Sequence, residues 1–342
     1  MLIEITADVS DAIRLDNLLS RHRQSPARAR EGRAKRKSRR ENRMIADSHC
    51  HAWTTWPYSH SVPNPRTRGS VEQLLVELDE NGVDRALIVC AAISFEGSNA
   101  NADNNGYVRR SCAQHPDRLD YVVDVDSNWS IQHHQPGSRE RLDEQLARNP
   151  SAVGITHYLS EANDGWLRTD AAYEFFAALA ERRLLASVSA PPSHWTDLAA
   201  LAAALPNVQF LLHHLGWAKA GFMETSTQLS SLLAASNQPN ICVKVSGFHY
   251  ASARFWDFPF PDTADILGQL VASFGTRRLL WGSDFPASLG KVTYRQSLEV
   301  PRILLPAFTA ADSALLMGGN LARIIDETSP CGSRATTPDT VK

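Results

Sequence analysis

From Met44 onward the chain repeats one pattern: a short run of β-branched and apolar residues, then a helix-length amphipathic stretch. A strand separated from the next by a helix pairs with it in parallel, because the crossover returns the chain to the edge where it began. The strand candidates are MIADSH (44–49), RALIVCAA (85–92), LDYVVDVD (119–126), AVGITHY (152–158), LLASVSA (184–190), VQFLLHH (208–214), NICVKVSG (240–247) and RLLWGSD (278–284). Seven helical stretches lie between them, the first with Ser70 placed as its cap, and several end in Gly, Asn or Pro as helix stops do. Eight such units predict an α/β fold, a closed (β/α)8 or TIM barrel. No Gly-rich dinucleotide or phosphate-binding fingerprint supports an open doubly wound sheet.

Charge divides the chain. Residues 1–43 carry 12 Lys+Arg against 6 Asp+Glu, leaving 23 against 31 for the remainder. The stretch RHRQSPARAREGRAKRKSRRENR has almost no apolar residue with which to offset the entropy of folding, so 1–43 reads as a disordered basic extension. Without interleaved aromatics or an adjoining basic fold it is a poor nucleic-acid arm. Residues 44–328 form the predicted single barrel domain and 329–342 a polar tail. There is no signal-peptide pattern and no apolar run long enough to span a bilayer, so the expected location is cytoplasmic, with no membrane partner. The 5 cysteines show no C-x-x-C spacing, which argues against a disulfide framework or a thiolate zinc site.

Histidines collect where strands end. His49 and His51 end strand one, His157 strand four, His213 and His214 strand six, and Asp284 ends strand eight. All fall at the C-terminal face, where barrels of this class place their chemistry. Strand alternation predicts that Asp47, His49 and His51 share a face, with Ser48 and Cys50 on the other. The aromatic, Pro-rich stretches 52–69 and 248–262 follow strands one and seven and are predicted pocket walls, with Trp53, Trp56 and Tyr58 against substrate; His60 and His249 lie in the same loops. Lys244 is left facing either way. Two histidines, a third across the barrel and a carboxylate suit a divalent metal, or activation of water without one.

The D-x-H-x-H of strand one, HPDRL before strand three, LLHHLGW, NICVKVSG, LLWGSDFP and GGNLARI, in that order over residues 44–328, resemble the amidohydrolase-related (amidohydrolase 2) branch of the amidohydrolase superfamily, nearest its lactonase-like members such as 2-pyrone-4,6-dicarboxylate lactonase and the sugar lactonases. The resemblance implies a distorted barrel that hydrolyses an ester, lactone or amide, with a minority of decarboxylases and hydratases. It assigns His49, His51 and Asp284 as ligands of one divalent ion (Zn2+ or Mn2+), with a metal-free mechanism left open, and Asp284 and His214 as catalytic residues. His213 stands where the family has an aspartate. Ser189 takes the position of a strand-five histidine ligand, and His194 lies beyond that strand. His157 stands near an arginine position, which argues against a substrate with two carboxylates. Trp53, Ser189, His157 and His213 complete the expected substrate contacts.

The reaction expected from these groups is water attack on a small-molecule carbonyl, with Asp284 as general base and later proton donor to the leaving alkoxide. A metal-dependent decarboxylase and a catalytically silent ligand-binding barrel are the alternatives, and a homo-oligomer is left open.

Overall fold

The computed structural model describes residues 44–59, 61–221 and 225–328; the predictions for 1–43, for His60 and for 329–342 lie outside the described residues. Eight strands form one parallel sheet in sequential order: β1 (Ala46–Cys50), β2 (Arg85–Val89), β3 (Leu119–Asp124), β4 (Gly154–Tyr158), β5 (Leu185–Ser189), β6 (Phe210–Leu212), β7 (Ile241–Val245) and β8 (Leu279–Trp281). The sheet closes where the chain beyond β8 pairs with β1: Asp284 N–H donates to the His49 carbonyl and His51 N–H to that of Phe285, at 2.8 and 2.6 Å. Helices follow the strands: α1 (Val71–Asn81), α2 (Asn104–Gln114), α3 (Ser138–Arg148), α4 (Asp170–Arg182), α5 (Trp195–Ala204), α6 (Thr225–Ala234), a single turn α7 (Phe248–Ala251), α8 (Ala264–Phe274), α9 (Tyr294–Leu304), α10 (Ala310–Ala314) and α11 (Asn320–Thr328).

The local signals work as their chemistry dictates. Ser70 Oγ accepts from the Gln73 N–H at the start of α1, and Gly82 ends that helix in the left-handed conformation. Every second strand residue turns inward: Ala46, Leu87, Val89, Val122, Leu185, Leu211, Cys242 and Leu280 pack the barrel's centre, while alternate residues meet the helices in a larger outer core. Cys50 belongs to that outer core, its Sγ against the Leu87 carbonyl. The final helix does not flank the barrel. Its Leu321, Ile324 and Ile325 insert among the central residues and plug the N-terminal end, tied by Asn320 Nδ2 to the carbonyls of Thr276 and Leu279 at 2.8 Å. With that end sealed, the cavity opens at the C-terminal face. Among the described residues no helix is long and apolar enough to cross a membrane.

Candidate active site

The register of β1 shifts between Asp47 and Cys50, and this irregularity sets the site. Asp47 does not share a face with the histidines. Its carboxylate is turned to the outer layer, accepting from Ser283 N–H, Ser283 Oγ and the Tyr294 hydroxyl of α9. A bulge breaks the two-residue period, so alternation counted through it fails. Beyond it His49 and His51 point into the mouth, their Nε2 atoms 3.2 Å apart. Gly282 makes room for them: a Cβ there would sit 2.7 Å from that of His49.

Adjacent residues of a strand face opposite ways, yet His213 and His214 both turn inward. The chain leaves β6 through left-handed backbone at His214 (φ 48°) and Leu215 (φ 55°), and this turn brings the second ring back over the first. Gly247 (φ 64°) leaves the space, since a Cβ on it would lie 2.6 Å from His214 Nδ1. Asp284 is also left-handed, at φ 57°. Its Oδ1 lies 3.7 Å from the Nε2 atoms of His49 and His51 and 3.9 Å from that of His214, while Oδ2 lies 3.9 Å from His249 Nε2. None of these is a hydrogen bond, and Oδ2 is buried with no hydrogen-bond partner.

Electrostatics make this a carboxylate among neutral imidazoles. Burial alone would raise the Asp284 carboxyl, but the surrounding His214, His51 and His249 outweigh it and hold the group below its ordinary value. Burial drives His214 down to about 4, and drives His49 well below its usual range with help from Lys244. His214 and His49 are therefore neutral near neutral pH. His51 Nδ1–H donates to the Val89 carbonyl at 2.7 Å, which turns its Nε2 toward His49 Nε2 and Asp284.

These residues fit a divalent ion. Two ligands each 2.0–2.1 Å from a tetrahedral ion stand about 3.4 Å apart. The separations among His49, His51 and Asp284 bracket that value, and the buried Oδ2 is left without a hydrogen-bond partner. His49, His213 and His214 form a second combination of the same kind.

Lys244 resolves its open orientation by facing inward. Its buried ammonium lies beneath the histidines, 3.2 Å from His49 Nδ1 and donating to Ser187 Oγ at 2.7 Å; Ser187 Oγ in turn meets His213 Nε2 at 2.7 Å. Burial lowers this lysine to about 7. His213 thus sits below the mouth, in the chain of polar groups that braces His49.

Above the carboxylate a cavity of about 260 Å³ is bounded by Trp53, Tyr58, Trp129, Tyr158, Trp217 and Tyr250, with Asn128, Glu161 and Ser189 as polar points. Trp53 stacks on His51 at 5.0 Å, and Ser189 Oγ accepts from Trp217 Nε1–H. Trp56 is buried beside Tyr58, behind the wall. His157 does not reach this cavity. It lies on the outward phase of β4 with its ring against Phe175 and Phe176 of α4, and the neighbouring Tyr158 faces the mouth in its stead. His194 also stays outside, bonded to the Ser160 carbonyl. Sequence reasoning missed Tyr158, Trp217, Tyr250 and Trp129. For Tyr158 the inward phase of β4, shared with Thr156, is a usable signal.

Trp129 is held by Asp124, whose carboxylate also accepts from Ala92 N–H and Ser127 Oγ. Burial raises this carboxyl to about 6 from an ordinary 3.8. The folded chain therefore keeps a proton that the unfolded chain gives up near pH 4, and the contribution to stability, full below that, is lost as pH rises through 6. Asp124→Asn retains an oxygen acceptor but cannot ionise. Its stability relative to wild type should improve by roughly 1–3 kcal/mol between pH 4.5 and 7.5 in urea unfolding; a pH-independent difference would remove Asp124 from the titration.

A family model described as Amidohydrolase matches residues 46–326. The chain belongs to the amidohydrolase family. Hydrolysis is that family's class of chemistry, and curated and solved relatives match this chain. One is an L-fucono-1,5-lactonase from Burkholderia ambifaria, 30% identical over 149 residues, which are 42% of this chain and 49% of that protein, so the chain spans about half the length of the curated relative it matches. Among solved structures, an amidohydrolase from Burkholderia multivorans with bound zinc superposes with a TM-score of 0.67 at 19% identity over 83% of this chain and 99% of that one. A Pseudomonas putida protein assigned as a 2-pyrone-4,6-dicarboxylic acid hydrolase gives a TM-score of 0.60 at 20% identity, covering 84% and 99%. At such identities the superpositions speak for the fold.

Proposed function

We propose that this amidohydrolase opens a small, uncharged lactone of the sugar-lactone type, with Asp284 as general base. The observation that carries the reading is the ionised, buried Asp284 with its free Oδ2 at the floor of an aromatic-walled cavity whose described lining includes no lysine or arginine. A substrate with one or two carboxylates would enter without a counter-charge and face both Asp284 and Glu161, whereas a polyhydroxylated ring finds donors and acceptors in Asn128, Glu161 and Ser189 and flat faces in Trp53 and Trp217. The lactonase relative supports the same substrate class.

In this mechanism water sits against Asp284 Oδ2 and loses a proton to it as its oxygen attacks the lactone carbonyl carbon. The tetrahedral oxyanion collapses, the ring C–O bond breaks, and Asp284 returns the proton to the departing alkoxide. His214 flanks the carboxylate, its Nε2 3.9 Å from Oδ1. Lys244 and Ser187 brace His49 from beneath. His49, His51 and Asp284 would hold one divalent ion, which when bound supplies Lewis-acid polarisation of the carbonyl.

The reading is tested by comparing kcat/KM for neutral aldonolactones, simple aryl esters and 2-pyrone-4,6-dicarboxylate. Aldonolactones should exceed the dicarboxylate at least tenfold. A preference for the dicarboxylate, or carbon dioxide release from an aromatic acid with no lactone opening, would overturn it.

A further inference from the structure

A second group of imidazoles lies outside the mouth, between the outer face of β4 and the loops that follow β3 and β4. His134 Nε2 and His157 Nε2 are 3.1 Å apart, and His133 brings its own ligating nitrogen within 4.8 Å of both. The Nδ1 partners decide the tautomers. His157 Nδ1 faces the Val125 carbonyl at 2.9 Å, His133 Nδ1 the Asp126 carbonyl at 2.6 Å, and His134 Nδ1 the Asp164 carboxylate at 2.5 Å. Carbonyl and carboxylate oxygens only accept, so each Nδ1 carries a proton, and in the neutral ring each Nε2 keeps the lone pair, that of His133 meeting Ser160 Oγ at 3.4 Å. Two such lone pairs then confront one another between His134 and His157 with no hydrogen to share. Trp166, stacked on His134 at 4.1 Å, and Phe175 enclose the pair in apolar surface, where an imidazolium proton is costly to place.

A cation removes the conflict. Nδ1 donation to a carbonyl or carboxylate is the arrangement that orients metal-bound imidazoles, and the separation of 3.1 Å is close to that of neighbouring ligands around a small transition ion. We propose that His133, His134 and His157 form a second metal site, independent of the catalytic mouth, for a divalent transition ion that favours imidazole (zinc, nickel or copper) over calcium or magnesium. Asp164 orients His134 from behind. The ion staples the 125–134 loop to β4 and to the segment carrying Asp164 and Trp166. These same loops supply Asn128, Trp129 and Glu161 to the cavity wall, so the site steadies one side of the substrate pocket.

Zinc alone is the probe. Full-length wild type, His134→Gln, His133→Asn and His51→Ala are loaded with excess zinc, desalted and measured for metal per chain and for the zinc-induced rise in Tm. His51→Ala, altered only at the mouth, should retain one ion and most of the Tm rise. His134→Gln and His133→Asn should each bind that ion at least tenfold more weakly while keeping the circular dichroism of the wild type. Double replacement of His51 and His134 should leave none. Wild-type zinc content in His134→Gln, or a well-folded His51→Ala chain that holds no zinc, would overturn the proposal. So would a wild type that takes up no zinc, which would leave a shared proton between His134 and His157 as the alternative.

Discussion

Asp284→Asn is expected to lower lactone turnover by at least about 10²-fold, the low end for general base catalysis and equivalent to about 2.7 kcal/mol of barrier. The substitution nearly preserves volume but cannot take a proton from water. The backbone should tolerate it, because residue 284 sits at φ 57° and asparagine enters the left-handed region more readily than other non-glycine residues. Alanine would confound lost chemistry with strain there. The loss should fall on kcat with KM changed only a few-fold, since the aromatic walls that hold the ring are untouched. Saturating zinc should not restore the rate. Near-normal turnover with the wild-type Tm would take Asp284 out of the proton transfer and leave the imidazoles to account for water activation.

Much of the architecture is legible in the sequence because barrel strands obey a strong constraint. Both faces of a parallel strand are buried, so runs such as RALIVCAA and NICVKVSG stand out, and the intervening amphipathic stretches coincide with the helices. Strand ends are legible too, which is why His49, His51, His214 and Asp284 can be gathered from sequence positions that the structure brings together. What a strand end does not reveal is its phase. His157 and Tyr158 both end β4, and only knowing that Gly154 and Thr156 face inward assigns Tyr158 to the cavity and His157 to the helices. The bulge in β1 is hidden for a related reason: nothing in ADSHC announces the register shift that separates Asp47 from the histidines. Helix α9 escapes notice because Pro301 lies inside it, although a capping box between Thr293 and Gln296 starts it. The second histidine cluster is split between one loop and a strand, and no spacing rule joins 133, 134 and 157 before the fold does.

Metal dependence gives the other large effect. Because the second cluster is expected to carry its own ion, the measurement belongs in the His134→Gln background, where the mouth holds whatever metal remains. There His51→Ala should remove the residual ion and reduce lactone opening to background, since it deletes one of two imidazoles whose Nε2 atoms stand 3.2 Å apart beside Asp284. Chelation of the wild type should mimic the loss, and zinc or manganese should reverse it. His51 also stacks on Trp53, so His51→Asn serves as the packing control: it keeps a polar side chain of similar reach yet lacks an aromatic nitrogen ligand, and it should lose the ion as alanine does. If the residual ion survives both replacements, it is held elsewhere than by His49, His51 and Asp284. If chelators strip every ion and turnover continues, these imidazoles act on the carbonyl directly, and Asp284 activates water with no ion at the mouth.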